Sequence, residues 1–250
     1  MRNIKPWSLA LILVITFVVG LAIGFLGRPV VMPPQEVVVT VVVTPDTPAV
    51  AQAKATPEPE TGAGQAATPT IMDFILADAR HFQGDPNAPI TLVEFSDFRC
   101  GFCGRFAVES LPQLRQSYID TGKVRFAYKH LAILGPDSVR AAEASECAAE
   151  QDKFWDFHNA VFTDQAENHT LLTEESLITL ADTVDIDPVA FRDCLASGRY
   201  TSQVVRESQT IQSLGVRGTP GFLVNGVFIS GAQPFEIFQQ VIEEQLASAE

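Results

Sequence analysis

The chain has 250 residues, 46% of them hydrophobic, so it is long and apolar enough to bury the core of one or two domains. Its formal net charge is −13 at pH 7, and the excess of acidic residues lies in residues 71–250. A surface this acidic repels phosphate backbones, which argues against nucleic-acid binding.

Residues 7–27 form an apolar segment without a charged side chain, close to the roughly 20 residues that a helix needs to cross a bilayer. Arg2 and Lys5 precede it, so the positive-inside rule places the amino terminus in the cytoplasm and the rest outside. The alternative is a cleaved signal peptide, because residues 22–24 resemble a cleavage site. We expect residues 1–27 to be a single-pass signal anchor in the cell membrane.

Residues 28–70 are rich in proline, threonine and valine. Proline fixes φ and lacks a backbone donor, so this segment is predicted to be an extended, semi-rigid linker. Its valine-rich part, residues 37–43, favours either a short strand or aggregation when exposed. The linker would let a folded domain, residues 71–250, meet partners near the membrane in many orientations.

The folded domain contains a predicted strand–helix–strand unit. Residues 90–95 (ITLVEF) are typical of a buried strand, and helical spacing follows over residues 104–118. Val124–His130 alternates and is predicted to be the second strand. Strands joined by a helix imply a parallel pair with a right-handed crossover.

Residues 136–214 carry little strand signal and are predicted to form a helical block. Asp187 followed by Pro188 is typical of a helix N-cap and first helical position. The predicted helices of this block cover residues 138–150, 154–162, 174–184 and 200–214.

Strand character returns in Gly221–Val224 and Val227–Ser230. Asn225-Gly226 between them favours a type I′ hairpin turn, which needs positive φ at both positions. A last helix is predicted over residues 234–246. This order of elements predicts an α/β fold with an inserted helical subdomain.

All four cysteines lie in the domain predicted to be exported, where an even number suggests disulfides: Cys100, Cys103, Cys147 and Cys194. Cys100 and Cys103 form a CxxC motif where the first strand passes into its helix. Free N–H groups and the dipole at a helix amino terminus favour a thiolate, so Cys100 is the expected nucleophile. Arg99 and Arg105 are expected to add positive charge.

The alternatives for the CxxC motif are an inert disulfide and half of a zinc site. Structural zinc sites usually combine two close cysteine pairs, whereas Cys147 and Cys194 have 46 residues between them. No metal site is therefore expected, and these two cysteines are predicted to form a structural disulfide. Four histidines show no ligand-like spacing and are expected to be surface or half-buried residues: His81, His130, His158 and His169.

Residues 94–103 (EFSDFRCGFC), with residues 218–222 (GTPGF) far downstream, resemble the DsbA-like branch of the thioredoxin superfamily. Residues 84–89 and 154–158 are also similar to that family, and the resemblance covers residues 78–246. It implies a thioredoxin-like fold with a helical insertion, here preceded by a transmembrane helix and a Pro-rich linker. It also implies a thiol–disulfide oxidoreductase that needs no cofactor.

The resemblance assigns a role to each matching residue. Cys100 matches the nucleophile and Cys103 the buried resolving cysteine. Pro220 matches the family's cis-proline, with Thr219 presenting backbone polar groups to the substrate; the alternative is a trans proline that opens a strand. Glu94 matches an acidic residue beneath the active site that relays a proton to or from Cys103. The alternative is a strand-end glutamate facing water.

The expected function is donation of the Cys100–Cys103 disulfide to reduced exported proteins. The resemblance implies reoxidation by a membrane quinone-linked thiol oxidase. Gly101-Phe102 lacks the histidine that strongly oxidising members place between the cysteines, which leaves the redox direction open over about 150 mV. A disulfide reductase or isomerase of the same fold is the alternative. A non-catalytic peptide-binding module is another, against which the intact CxxC argues.

Overall fold

The computed structural model describes residues 70–168 and 171–249. The predicted anchor, residues 1–27, lies outside the described residues, as does the predicted linker up to residue 69. Within the described ranges, no helix combines the length and the apolar character that crossing a bilayer requires.

The described residues alternate between strands and helices, with most of the helices grouped between the third and fourth strands. The strands are β1 (His81–Gln83), β2 (Ile90–Ser96), β3 (Val124–His130), β4 (Gly221–Val224) and β5 (Val227–Ser230). The helices are α1 (Ile71–Leu76), α2 (residues 101–119), α3 (Pro136–Ala149), α4 (Phe154–Glu167), α5 (Glu174–Asp182), α6 (Pro188–Ser197), α7 (Thr201–Ser213) and α8 (Phe235–Ala249).

The strands form one sheet in the order β1-β3-β2-β4-β5. β2 and β3 are parallel, as the strand–helix–strand unit predicts, and the other neighbours are antiparallel. Asn225 and Gly226 have φ of 46° and 94°, which is the positive-φ pair that a type I′ turn requires. The predicted α/β fold with a helical insertion is confirmed.

Each face of the sheet packs on its own apolar cluster. On one face, α2 and α8 cover the sheet through Phe106, Phe222 and Phe238. On the other face, Val93 and Phe95 pack with residues of α1 and α7. Because β2 is covered on both sides, all but one of its residues are buried. The end of β2, where the CxxC motif begins, is therefore held rigidly.

Helix α2 starts at Gly101, three residues earlier than predicted, with Cys100 as its N-cap. Two π-type turns interrupt it: the Leu111 N–H bonds to the Phe106 carbonyl, and the Asp120 N–H bonds to that of Arg115. Pro112 lies between these turns and has no N–H to donate, which breaks the regular ladder there.

Two elements, α1 and β1, were not predicted. The Thr70 hydroxyl accepts from the Asp73 N–H at 3.2 Å while the Asp73 carboxylate accepts from the Thr70 N–H at 2.7 Å. This capping pattern was a signal for α1 in the sequence. β1 has three residues, too few for a periodic pattern, and depends on pairing with β3.

Candidate active site

The CxxC motif lies at the amino terminus of α2, at the end of the buried strand β2. The Cys100 N–H bonds to the Asp97 carbonyl at 2.9 Å, and the Gly104 N–H bonds to the Cys100 carbonyl at 3.1 Å. Cys100 Sγ lies 3.3 Å from the Thr219 carbonyl oxygen, to which its thiol donates when protonated. Cys103, one turn along the helix, is completely buried.

The two thiols have opposite pKa shifts. A hydrogen bond from the Cys103 thiol, with smaller contributions that include the N–H groups of Cys103 and Phe102, lowers the pKa of Cys100 to about 6, against burial. Burial raises the pKa of Cys103 well above its usual value, and the hydrogen bond to Cys100 and the Glu94 charge add to this. At neutral pH Cys100 is therefore mainly a thiolate and Cys103 a thiol.

Cys100 is nearly buried, with 7% of its surface exposed. The backbone at Thr219 lies across its sulfur, whereas the neighbouring Phe102 side chain is 60% exposed.

Arg99 and Arg105, on either side of the motif in sequence, each bind a backbone carbonyl. Arg99 Nη1 donates to the Leu134 carbonyl at 2.6 Å, and Arg105 Nη2 donates to the Ala232 carbonyl at 2.8 Å. The guanidinium groups thus hold backbone loops, and the local hydrogen bonds described above lower the pKa of Cys100.

The peptide bond between Thr219 and Pro220 is cis. The Gly231 N–H bonds to the Pro220 carbonyl at 2.9 Å and ties this loop to the segment after β5. The long helical block that separates this loop from the CxxC in sequence folds so that Thr219 and Cys100 are in contact.

Glu94 is completely buried in β2, where it is paired with Tyr128 of β3 and Phe222 of β4. Burial raises the pKa of its carboxyl to about 8, and the charge of Cys100 acts in the same direction. The alternative of a glutamate facing water is wrong, because helices α2 and α8 cover this face of the sheet.

Asp97 organises the turn before the CxxC motif, and no sequence pattern assigned this residue a role of its own. Its carboxylate accepts from the Arg99 N–H at 2.8 Å and from the N–H groups of Ile133 and Leu134 at 2.9 and 3.0 Å. The side chain is almost completely buried. It therefore fixes the active-site turn to the loop that follows β3. An aspartate or asparagine before a turn is a sequence signal for such a role.

Gln165 of α4 also positions the motif, and no sequence pattern pointed to it. Its Nε2 donates to the Phe98 carbonyl at 2.9 Å. A Cβ added to Gly104 would lie only 2.1 Å from Gln165 Oε1. The insertion thus supports the CxxC turn directly, through a contact that needs glycine after Cys103.

Cys147 of α3 and Cys194 of α6 form a disulfide, with Cα atoms 5.7 Å apart. The bond lies inside the core of the helical insertion, where both residues are about 1% exposed. It joins two helices that are 47 positions apart in sequence.

The expectation for the histidines is wrong within the described residues, since His81, His130 and His158 are all buried; His169 lies outside them. Glu146 Oε1 lies 2.9 Å from His81 Nε2 and 3.0 Å from His130 Nε2. Arg80 Nη2 donates to the same oxygen at 2.7 Å, so one carboxylate oxygen is shared by three basic side chains. The pairing of strand β1 with strand β3 brings His81 close to His130.

The comparisons with known proteins agree with this geometry. A family model described as thioredoxin matches residues 77–244. Disulfide bond formation protein D of Bacillus subtilis is 31% identical over 172 residues, which are 65% of this chain and 75% of that protein. The Na⁺/H⁺ antiporter NhaA 3 of Salinispora tropica is 33% identical over 184 residues, 72% of this chain. The chain spans only 27% of that antiporter's length, so the antiporter name carries no activity to it.

Two solved structures have the same fold. Oxidised BdbD from Bacillus subtilis matches with a TM-score of 0.62 at 30% identity, covering 66% of this chain and 92% of that one. α-DsbA1 of Wolbachia pipientis matches with a TM-score of 0.61 at 26% identity, covering 67% and 91%. The chain therefore belongs to the thioredoxin family with a DsbA-like fold, and its site is that of a thiol–disulfide oxidoreductase.

Proposed function

We propose that the chain donates the Cys100–Cys103 disulfide to reduced exported proteins. The observation that carries this proposal is the opposite character of the two thiols, one with a pKa of about 6 and the other buried with a raised pKa. A low pKa at Cys100 stabilises the reduced enzyme and makes Cys100 a good leaving group. Both effects favour giving the disulfide away over making thiols in the substrate.

In the proposed reaction a substrate thiolate attacks Cys100 Sγ and the Cys100–Cys103 bond breaks. Cys103 leaves as a thiolate and takes a proton from Glu94, whose pKa of about 8 keeps it protonated at neutral pH. A second substrate thiolate then attacks the substrate sulfur of the mixed disulfide, and Cys100 leaves as a thiolate. The substrate loses two electrons and gains a disulfide, and the enzyme gains them as a dithiol.

The substrate segment would lie between the exposed Phe102 ring and the cis-proline loop. Thr219 and Pro220 are the proposed substrate-binding residues, because the Thr219 carbonyl is 3.3 Å from the attacked sulfur. Backbone groups at this position bind an extended chain whatever its side chains are.

Turnover needs an oxidant for the dithiol, and we assign this role to a membrane thiol oxidase linked to quinone. The apolar segment of residues 7–27 and the linker of residues 28–70 support an anchored enzyme with an extracytoplasmic domain. The anchor would keep the domain close to such a partner.

Trapping tests the assignment of the nucleophile. In the Cys103→Ala protein, Cys100 is first converted to a mixed disulfide with glutathione; a substrate with one reactive thiol should then displace glutathione as a thiolate and stay bound to Cys100, because neither Cys103 nor a second substrate thiol can release it. The Cys100→Ala protein should show neither trapping nor turnover. Normal oxidation of a reduced test protein by Cys100→Ala would mean that this CxxC is not the active site. The alternative of a peptide-binding module would then apply.

Equilibration with glutathione tests the direction. We expect the Cys100–Cys103 pair to be more oxidising than thioredoxin, whose potential is about −270 mV. A potential at or below that value would favour the alternative, a reductase or isomerase that receives electrons from a membrane donor.

A further inference from the structure

Three polar side chains lie on the same face of the central sheet, beneath the CxxC motif. Glu94 and Ser96 are two residues apart on β2, so both point to the same side, and Tyr128 is the direct partner of Glu94 on β3. This face packs against α2, which carries Cys103. All three side chains are at most 1% exposed.

None of the side-chain oxygens of this group has a hydrogen-bond partner among the described residues: Glu94 Oε1, Glu94 Oε2, Ser96 Oγ and Tyr128 Oη. A buried oxygen without a partner typically costs about 1–3 kcal/mol, so one such group is unusual and a cluster of them calls for a role. Apolar residues of the same size would fill this space without that cost.

Ser96 is the member of the cluster closest to the CxxC motif along the chain, since it follows Glu94 by two residues and ends strand β2. Burial raises the pKa values of Glu94, Cys103 and Tyr128, and the Ser96 hydroxyl opposes burial at each of these three groups. Along the chain it stands between Glu94, which holds a proton, and the CxxC motif, whose Cys103 sulfur needs one.

We propose that Ser96 relays the proton from Glu94 to Cys103 and that Tyr128 positions the carboxylate that remains. This rests on the function proposed above and adds two residues to it. When Cys103 leaves as a thiolate, the Ser96 hydroxyl gives its proton to that sulfur and receives one from the Glu94 carboxyl. Ser96 ends unchanged, Glu94 becomes a carboxylate and Cys103 a thiol, so one proton moves and no electron does.

Tyr128 is suited to the positioning role because its raised pKa keeps it a neutral O–H donor. Its hydroxyl can stabilise the negative charge that forms on Glu94, which is its direct neighbour in the sheet register. The ring itself packs against His158 with centroids 5.3 Å apart, so replacement by phenylalanine would keep the packing and remove only the donor.

The titratable groups around Glu94 are few. Besides Tyr128 of β3, the cysteines of the CxxC face it from α2, and β4 contributes the apolar Phe222. Asp97 comes directly after the end of β2, and its carboxylate accepts from backbone N–H groups. Two histidines lie behind Tyr128: burial lowers the pKa of His158 to about 3, and His130 is bonded to Glu146.

The test measures how fast a small dithiol reduces the enzyme disulfide in the full chain, corrected for the fraction of attacking thiolate, as a function of pH. In the unmodified chain the corrected rate should fall as pH rises through about 8, because Glu94 loses the proton it donates. Ser96→Ala should be at least about tenfold slower below pH 8 and should lose this inflection. Ser96→Thr retains a hydroxyl and should restore both.

Two further variants complete the experiment. Glu94→Gln should match Ser96→Ala, and the double variant should be no slower than either single one, because both act on one proton transfer. Tyr128→Phe should move the inflection to higher pH, since the carboxylate loses a donor. If Ser96→Ala does not fold, comparing Ser96→Thr with Glu94→Gln decides the same point.

The proposal is overturned if Ser96→Ala keeps the inflection that Glu94→Gln loses, which would mean direct transfer from Glu94 to Cys103. The positioning role of Tyr128 is overturned if the inflection stays at the same pH in Tyr128→Phe. Failure of the proposed function itself would look different, because the Cys100→Ala protein would then still oxidise reduced substrate.

Discussion

At the scale of single residues, the reactivity of Cys100 depends on a neighbour three residues away. The Cys103 thiol is the largest cause of the lowered pKa of Cys100, ahead of the backbone N–H groups of the helix end. The two cysteines therefore do more than form and break a disulfide, because the Cys103 thiol of the reduced protein lowers the pKa of Cys100.

This leads to a prediction for the titration of Cys100. In the reduced protein the thiolate should appear with a midpoint near pH 6, measured by the rate of alkylation against pH. The sign follows from the depressed pKa: the thiolate is present above pH 6 and lost below it. Cys103→Ala should raise the midpoint because it removes the donor, whereas Cys103→Ser retains a hydroxyl donor and should keep it low. Equal midpoints in the two variants would contradict the assignment.

A second residue-scale prediction concerns Gly104. Alanine there would bring a Cβ within 2.1 Å of Gln165 Oε1 and displace the amide that holds the Phe98 carbonyl. We expect Gly104→Ala to lower the free energy of unfolding by about 1–3 kcal/mol in urea. Gly101→Ala is the matched control, since nothing lies within 4 Å of a Cβ at that position. A similar loss in both variants would contradict the role of the Gln165 contact, since alanine otherwise favours a helix over glycine.

At the scale of elements, the helical insertion has two functions that the sheet cannot supply. It covers the end of the motif through α4, and it places Tyr128 and Phe98 in the same aromatic core as His158 and Phe162. The insertion is itself held by a covalent bond between α3 and α6.

Removing that bond should destabilise the protein. The chain-entropy model gives about 4 kcal/mol for a loop of this length, so a Cys147→Ala and Cys194→Ala double variant should show a correspondingly lower urea midpoint. Exchange activity should persist under conditions where the variant stays folded, because the bond joins α3 to α6 whereas the CxxC motif lies at the start of α2. Loss of activity at full folding would mean that the bond also shapes the site.

At the scale of the whole molecule, the sequence divides into an apolar segment, a proline-rich segment and a folded acidic domain. The described structure covers only the last of these. The acidic charge argues against nucleic-acid binding.

The topology yields a prediction for the full chain in bacteria. The protein should sediment with membranes and resist extraction by high salt and alkali, and its mass should include residues 1–27. Protease added outside the cytoplasmic membrane should cleave the linker and release the domain, because the linker is extended and exposed in this proposal. A mature chain that begins near Phe25 would contradict the anchor and indicate a secreted enzyme.

The local patterns of the sequence were sufficient for the elements that carry their own signal. β2, β3 and the β4–β5 hairpin occur where alternation, apolar runs and Asn225-Gly226 predict them, because period and turn chemistry are properties of neighbouring residues. The CxxC motif with the distant GTPGF segment indicated the fold and the two redox cysteines through the resemblance to the DsbA-like branch.

Contacts between distant residues could be decided only by the tertiary structure. The shielding of Cys100 by Thr219, the hold of Gln165 on the Phe98 carbonyl and the burial of Ser96 with Tyr128 all join segments that no sequence period relates. The pKa values of the thiols and of Glu94 depend on burial and on such neighbours, so they too arise only once the sheet and the insertion enclose the site.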